Sequence, residues 1–326
     1  MIYKNPIYDP FISTIPDDTM IFSAIDSKSD FFRKFVMENY INFYAIHLRS
    51  NDEVVFRFEN LIDYESIYGL KRVFLPVDLL KRMRKDIDFF ISLIRDGYYL
   101  SVPIARRVID FYQDSSNATH RMMIYGVDPD KKMFMCKDFQ GHSFVPFEIT
   151  YESLSKGIEL YSNPNSRESD GLLAFKFDDN ISHEISYSKV YLELLKLKDG
   201  LTVGNLDSYG IGALDSFLRN IESTNANNRL LARWYEVSNF LREAAKLMQL
   251  RFEILCDDLK INADESSTNI VREVSESTEK LFFLISKSFL SNRFDDTTNK
   301  QFVDLCDLSR NSFFRVSSLF MKLIIT

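Results

Sequence analysis

The chain has 326 residues, enough for two domains or for one large domain with an appendage. Hydrophobic residues make up 45% and charged residues 27%, a globular rather than a disordered composition. The net charge is −7, and the basic clusters "KRMRKD" (81–86) and "ARRV" (105–108) are each followed by acid, so no nucleic-acid-binding face is expected.

The N-terminus "MIYKNPIYDPFISTIPDD" lacks a charged-then-apolar signal pattern, and no run of about 18 apolar residues occurs. Cys136, Cys256 and Cys306 are odd in number and widely spaced, which suggests neither a disulfide framework nor a zinc site. The expectation is a reduced, cytoplasmic protein with no membrane span, no metal and no cofactor. Gly (10) and Pro (8) are scarce while Phe (29) and Tyr (16) are plentiful, which favours regular elements, short loops and aromatic packing.

In chain order, "DSKSDFFRKFVMENYINFYAIHL" predicts a helix capped by Ser29 and running to about residue 48. "EVVFRFE" follows as a strand. Residues 76–97 carry Leu79, Leu80, Met83, Ile87, Phe90, Ile91 and Ile94 at helical spacing, ending on Gly97 as a C′ residue. "YYLSVPIARRVID" is a strand, and "SFVPFEITYESLSKGIELY" a strand followed by a short helix. "SNPNSRESD" (162–170) is a polar loop, "GLLAFKF" a strand and "HEISYSKVYLELLKLKDG" the lead-in to a helix. Long helices follow from about residue 208. Leu230, Trp234, Val237, Leu241, Ala244 and Met248 form an apolar seam there, with further helices over about 266–290 and 297–324. The expected organisation is an α+β domain over 1–205 followed by a helical bundle over 206–326.

Between these elements, "THRMMIYGVDPDKKMFMCKDF" (119–139) reads as a hairpin with its turn between Val127 and Met133. His120 then opens one strand and Asp138 lies near the end of the other. Opposed Cβ atoms on antiparallel strands are about 5 Å apart, so a carboxylate there can orient an imidazole as acyl-transfer chemistry requires. Whether the two share a face depends on turn length, because a one-residue slip reverses a strand's faces. The same residues also suit two polar strand ends at the surface with no catalytic role, the commoner case for a lone His and Asp. His47 at a helix end, His142 in a turn and His183 in a strand or helix lead-in have no metal-site spacing. Tyr209, Gly210 and Gly212 in "SYGIGALDSFL" resemble a nucleotide loop only superficially, and packing at a helix start explains them.

"GYYLSVPIARRVID", "HRMMIYGVDPDKKMFMCKDF" and "ITYESLSKGIELY", in that order and spacing, resemble the butirosin-biosynthesis-H-like family. "SYGIGALDSFL" followed by "RLLARWYEV" and long helices is similar to the C-terminal part of the same group. The resemblance covers about two-thirds of the chain. It implies a papain-like fold with an antiparallel sheet, related to the double-glycine-cutting peptidases, in natural-product pathways of the nonribosomal peptide type. It also implies transfer of an acyl group from a carrier protein's thioester to an amine through a cysteine, with His120 as base and Asp138 as its partner. The nucleophile should sit at the start of the first long helix, where amide N–H groups favour a thiolate. That segment, "AIDSKSDFF", offers Ser27 and Ser29 instead, and no cysteine precedes Cys136.

Three functions therefore stand side by side. The chain acts as an acyltransferase or hydrolase using His120 and Asp138, with Ser27 or Ser29 as nucleophile or by direct base catalysis on the thioester. Alternatively, it is an inactive scaffold that binds an acyl or peptidyl carrier protein or its synthetase. As a third reading, the 230–248 seam mediates homo-oligomerisation.

Overall fold

The structure, a computed structural model, describes residues 1–48, 53–59, 67, 69–113, 118–141, 143–162, 171–178, 184–200, 202–203, 207–223, 228–291 and 293–325. Along the chain it runs β1 (Tyr3–Lys4), α1 (Pro16–Ser23), α2 (Asp30–Glu38), β2 (Phe43–Leu48), β3 (Glu53–Phe58) and β4 (Leu70–Pro76). Next come α3 (Val77–Met83), α4 (Ile87–Arg95), β5 (Tyr99–Ala105), β6 (Thr119–Asp128), β7 (Met133–Gln140), β8 (Ser143–Thr150), α5 (Tyr151–Glu159) and β9 (Gly171–Phe177). The remainder is α6 (Tyr187–Asp199), β10 (Thr202–Val203), β11 (Asp207–Tyr209), α7 (Ile211–Ser223), α8 (Asn228–Leu259), α9 (Glu265–Ser291) and α10 (Asp296–Ile325). The class is α+β with antiparallel sheets, as expected.

By contacts the chain forms two compact units that interleave in sequence, 1–27 with 68–182 and 28–67 with 183–326. The partition at 205/206 treated the units as consecutive. Pairing between distant segments, which periodicity does not reveal, sets the division instead: β11 pairs with β2, and β9 with both β4 and β5.

The first unit is built on a sheet ordered β4-β9-β5-β6-β7-β8, with β1 added alongside β6. One face carries Leu100, Val102, Ile104, Met122, Ile124, Val127, Phe134 and Cys136. It packs against Leu80 of α3, Phe90 and Ile94 of α4, and Leu154 and Ile158 of α5, all buried. The N-terminal arm is tied to the sheet by Asn5, whose Nδ2 donates to the Tyr98 carbonyl at 2.8 Å, and by Lys137 Nζ donating to the Tyr8 carbonyl at 3.3 Å.

Two helix expectations are corrected. The single helix over 76–97 is two helices, because Asp86 accepts from the Phe89 N–H at 3.3 Å and restarts the chain as α4. Gly97 ends it with φ +88°, as its position suggested. The helix begun at Ser29 stops at Glu38, well short of residue 48. Tyr40 turns the chain with φ 60°, and the aromatic, β-branched run "FYAIHL" continues as β2. His47 consequently lies on a strand, while His142, His183 and residues 163–170 fall outside the described residues.

In the second unit a sheet ordered β10-β11-β2-β3 packs with the helices. Phe43 sits at its centre, with the rings of Phe56, Phe240 and Phe313 each 5.7 Å away. The α8 seam, Leu230 through Met248, is buried inside this unit, so the apolar stripe is already covered within the chain. Gly210 carries φ +56°, and a Cβ there would lie 2.3 Å from the Leu197 carbonyl oxygen, so close packing explains the glycine. Among the described residues, no helix is long and apolar enough to cross a membrane.

The end of α2 depends on one buried cation. Arg251 of α8, 1% exposed, donates from Nε to the Val36 carbonyl at 2.9 Å and from Nη2 to the Asn39 carbonyl at 2.6 Å. Val36 lies in the last turn of α2 and Asn39 is its C-cap residue, where the carbonyls run past the N–H groups of the helix. Burial pulls the guanidinium down to about 9, which leaves it charged at neutral pH. Arg251→Ala removes both of these hydrogen bonds and is expected to lower unfolding free energy by ~3 kcal/mol in urea titrations. A loss below about 0.5 kcal/mol would show that the cap is dispensable.

Candidate active site

The site starts from a register shift. Near the turn, Asp128 pairs with Met133, Val127 with Phe134 and Gly126 with Met135. Past the shift, Ile124 pairs with Cys136 and Met123 with Lys137, leaving Tyr125 as the extra residue of a β-bulge. Continuing this register places Asp138 opposite Met122, on the face that His120 also occupies two residues along β6. Without the extra residue Asp138 would stand opposite Met123, on the other face. The turn itself is pinned by Asp128, whose Oδ1 accepts from the N–H groups of Asp130 and Lys131 at 3.2 Å each.

The two sequence-predicted residues therefore meet. His120 Nε2 lies 3.0 Å from Asp138 Oδ1. Asp138 is fully buried, while the His120 side chain keeps 28% of its surface. The carboxylate also accepts from the Phe139 N–H at 2.7 Å, again on Oδ1, and from the Tyr112 hydroxyl on Oδ2. Three donors thus converge on an acceptor-only group, which suits a carboxylate taken out of water. An ionised carboxylate can only accept, so a neutral imidazole paired with it carries its proton on Nε2. The lone pair is then on Nδ1, to which no described residue is hydrogen-bonded.

Tyr112 was not anticipated. Nothing in "IDFYQ" distinguishes it from Phe111, and its role depends on two 3-10 turns, Arg106–Val108 and Asp110–Tyr112, that carry the chain past the end of β5. Gln113 ends the second turn in the left-handed region with φ 49°. The Tyr112 ring stands edge-on to the imidazole, with centroids 6.1 Å apart and planes at 82°. The Arg106 guanidinium lies over the phenol ring at 4.8 Å. Burial, then the adjacent Asp138, push the Tyr112 hydroxyl far above its ordinary range, so it stays a donor rather than becoming a nucleophile.

The neighbouring Arg121 belongs to the opposite face. Its guanidinium bonds Ser101 Oγ at 3.0 Å and the carbonyls of Ser101 and Gly171 at 3.1 and 2.9 Å. It ties β5, β6 and β9 together and is not part of the His120 cluster.

The serines are placed differently from each other. Ser27 is exposed in a turn of the first unit. Ser29 caps α2 in the second unit, its Oγ accepting from the Phe32 N–H at 3.0 Å. Cys136 is fully buried, and burial, followed by Asp138 and Glu148, pushes its thiol well above the ordinary range. Cys306 is likewise buried and raised, while Cys256 is partly exposed. Among the described residues, no group of three or more His, Cys, Asp or Glu side chains is placed to hold a metal ion. No protein-family model and no curated protein matches the chain.

The Cys136 thiol has a consequence for stability. Its folded pKa is raised, so the folded chain keeps its proton where the unfolded chain releases it. The contribution is complete below pH about 9 and declines as pH rises above that. Unfolding free energy of the wild type should fall between pH 9 and 10 by up to ~1 kcal/mol more than that of Cys136→Val, measured by urea titration at each pH. Parallel pH dependences would mean that Cys136 is accessible to ionisation in the folded state.

Proposed function

We propose that the chain transfers an acyl or peptidyl group from a carrier protein's thioester to an amine, on a papain-like scaffold of a natural-product pathway, with His120 as general base. The observation that carries this reading is the His120–Asp138 pair, with a fully buried carboxylate on Nε2 of a partly exposed imidazole whose Nδ1 has no hydrogen bond among the described residues. The order of strand, hairpin and helix that prompted the family resemblance adds to it.

In this reading no cysteine intermediate is needed. The amine nitrogen attacks the thioester carbonyl while His120 Nδ1 takes its proton, forming a tetrahedral intermediate and an imidazolium that Asp138 stabilises. Collapse breaks the C–S bond, and the leaving carrier thiolate recovers the proton from His120. The products are an amide and a free carrier thiol, so atoms and charge balance. Water in place of the amine gives hydrolysis. The direct route is preferred to a serine intermediate because Ser29 is engaged as a helix cap and no hydrogen bond joins Ser27 to His120 among the described residues. The alternative is a scaffold that binds the carrier without turning it over.

The test is acyl transfer from a panel of loaded carrier proteins, read by intact mass spectrometry. His120→Ala is expected to lower kcat/KM by ~100-fold or more, and Asp138→Asn to lower it strongly as well. Ser27→Ala should stay within about twofold of wild type, and Ser29→Ala should lose ~1 kcal/mol of stability through its cap rather than activity. Full activity in His120→Ala would eliminate this mechanism. Carrier binding with no turnover in the wild type would favour the scaffold.

A further inference from the structure

We infer that Tyr112 is the positioning residue of this site, holding Asp138 and His120 in the arrangement that leaves Nδ1 available; as regards turnover, this rests on the acyl-transfer reading above. Asp138 has two oxygens and two different tasks for them. Oδ1 receives His120 Nε2 at 3.0 Å and the Phe139 N–H at 2.7 Å. Oδ2 receives the Tyr112 hydroxyl. The carboxylate torsion of an aspartate is broad, so backbone geometry alone does not fix the plane of the group. A donor on the oxygen that faces away from the imidazole narrows that plane and keeps the other oxygen on Nε2.

Tyr112 is itself held on several sides. Its backbone N–H donates to the Ile109 carbonyl at 3.1 Å within the 3-10 turn. Arg106 covers the ring, and Phe147 meets it edge-on at 6.1 Å, stacked in turn on Phe111 at 3.8 Å. The ring edge then stands against His120, limiting the tilt of the imidazole. Removing only the hydroxyl keeps this packing and leaves Oδ2 a buried acceptor without its donor. A turn of Asp138, or a mixture of imidazole tautomers, is the expected response.

Tyr99 provides a matched comparison. It is a buried tyrosine of the same sheet whose hydroxyl donates to the Pro6 carbonyl, away from His120. Tyr112→Phe and Tyr99→Phe should each cost ~1 kcal/mol of stability. Only Tyr112→Phe should change the side-chain 15N spectrum of His120, assigned by its loss in His120→Gln.

The wild type and Tyr99→Phe are expected to show one neutral tautomer, protonated at Nε2. In Tyr112→Phe the ratio of Nε2–H to Nδ1–H should fall by about fivefold, and kcat on the thioester by about tenfold at unchanged KM. An unchanged His120 spectrum in Tyr112→Phe, with stability lost as in Tyr99→Phe, would reduce Tyr112 to a space-filling role and overturn the inference. If the wild type turns over no thioester, the acyl-transfer reading falls, while the spectrum still decides the role of Tyr112.

Discussion

One extra residue in β6 decides what the first unit can do. The bulge at Tyr125 resets the pairing of β6 with β7 so that Asp138 comes to the face of His120. The same shift keeps Met122, Ile124 and Val127 on the core side despite their uneven spacing, and brings Phe134 and Cys136 in beneath the helices. The apolar core and the polar pair are therefore settled by the same backbone irregularity. Bulges re-aim side chains near the ends of sheets in this way.

Placing a carboxylate on the core face is costly, because an uncompensated buried charge loses several kcal/mol. Asp138 offsets this with donors of three kinds, an imidazole, a phenol and a backbone amide. Two of the three are side chains whose own positions depend on the sheet and the turns after β5. Polar satisfaction in the interior and the orientation of a partly exposed imidazole are thus the same arrangement seen from its two ends. The second unit solves a comparable problem with opposite charge, where Arg251 is buried among backbone carbonyls at the end of α2.

Much of this was legible in the sequence. The hairpin, its turn, the strands on either side and the long C-terminal helices follow from alternation, Gly and Asp placement and apolar spacing. His120 and Asp138 stood out because a hairpin of that length brings them close. The face they share did not, since alternation cannot count a bulge. Tyr112 was invisible because its contact with Asp138 spans irregular 3-10 turns with no periodicity to read. The helix predicted from Ser29 to residue 48 failed where local propensity gave way to pairing, since "FYAIHL" finds its partners in β3 and β11. The interleaving of the two units has the same origin, in pairings between segments far apart in the chain.

The most direct test of the account is a double-mutant cycle on His120→Ala and Asp138→Ala, with unfolding free energies from urea titration. Two side chains brought into contact by the bulge should show a coupling energy of about 1–3 kcal/mol. Additivity within about 0.5 kcal/mol would mean that they are energetically independent. In that case the register that joins them, and the chemistry built on it, would not stand.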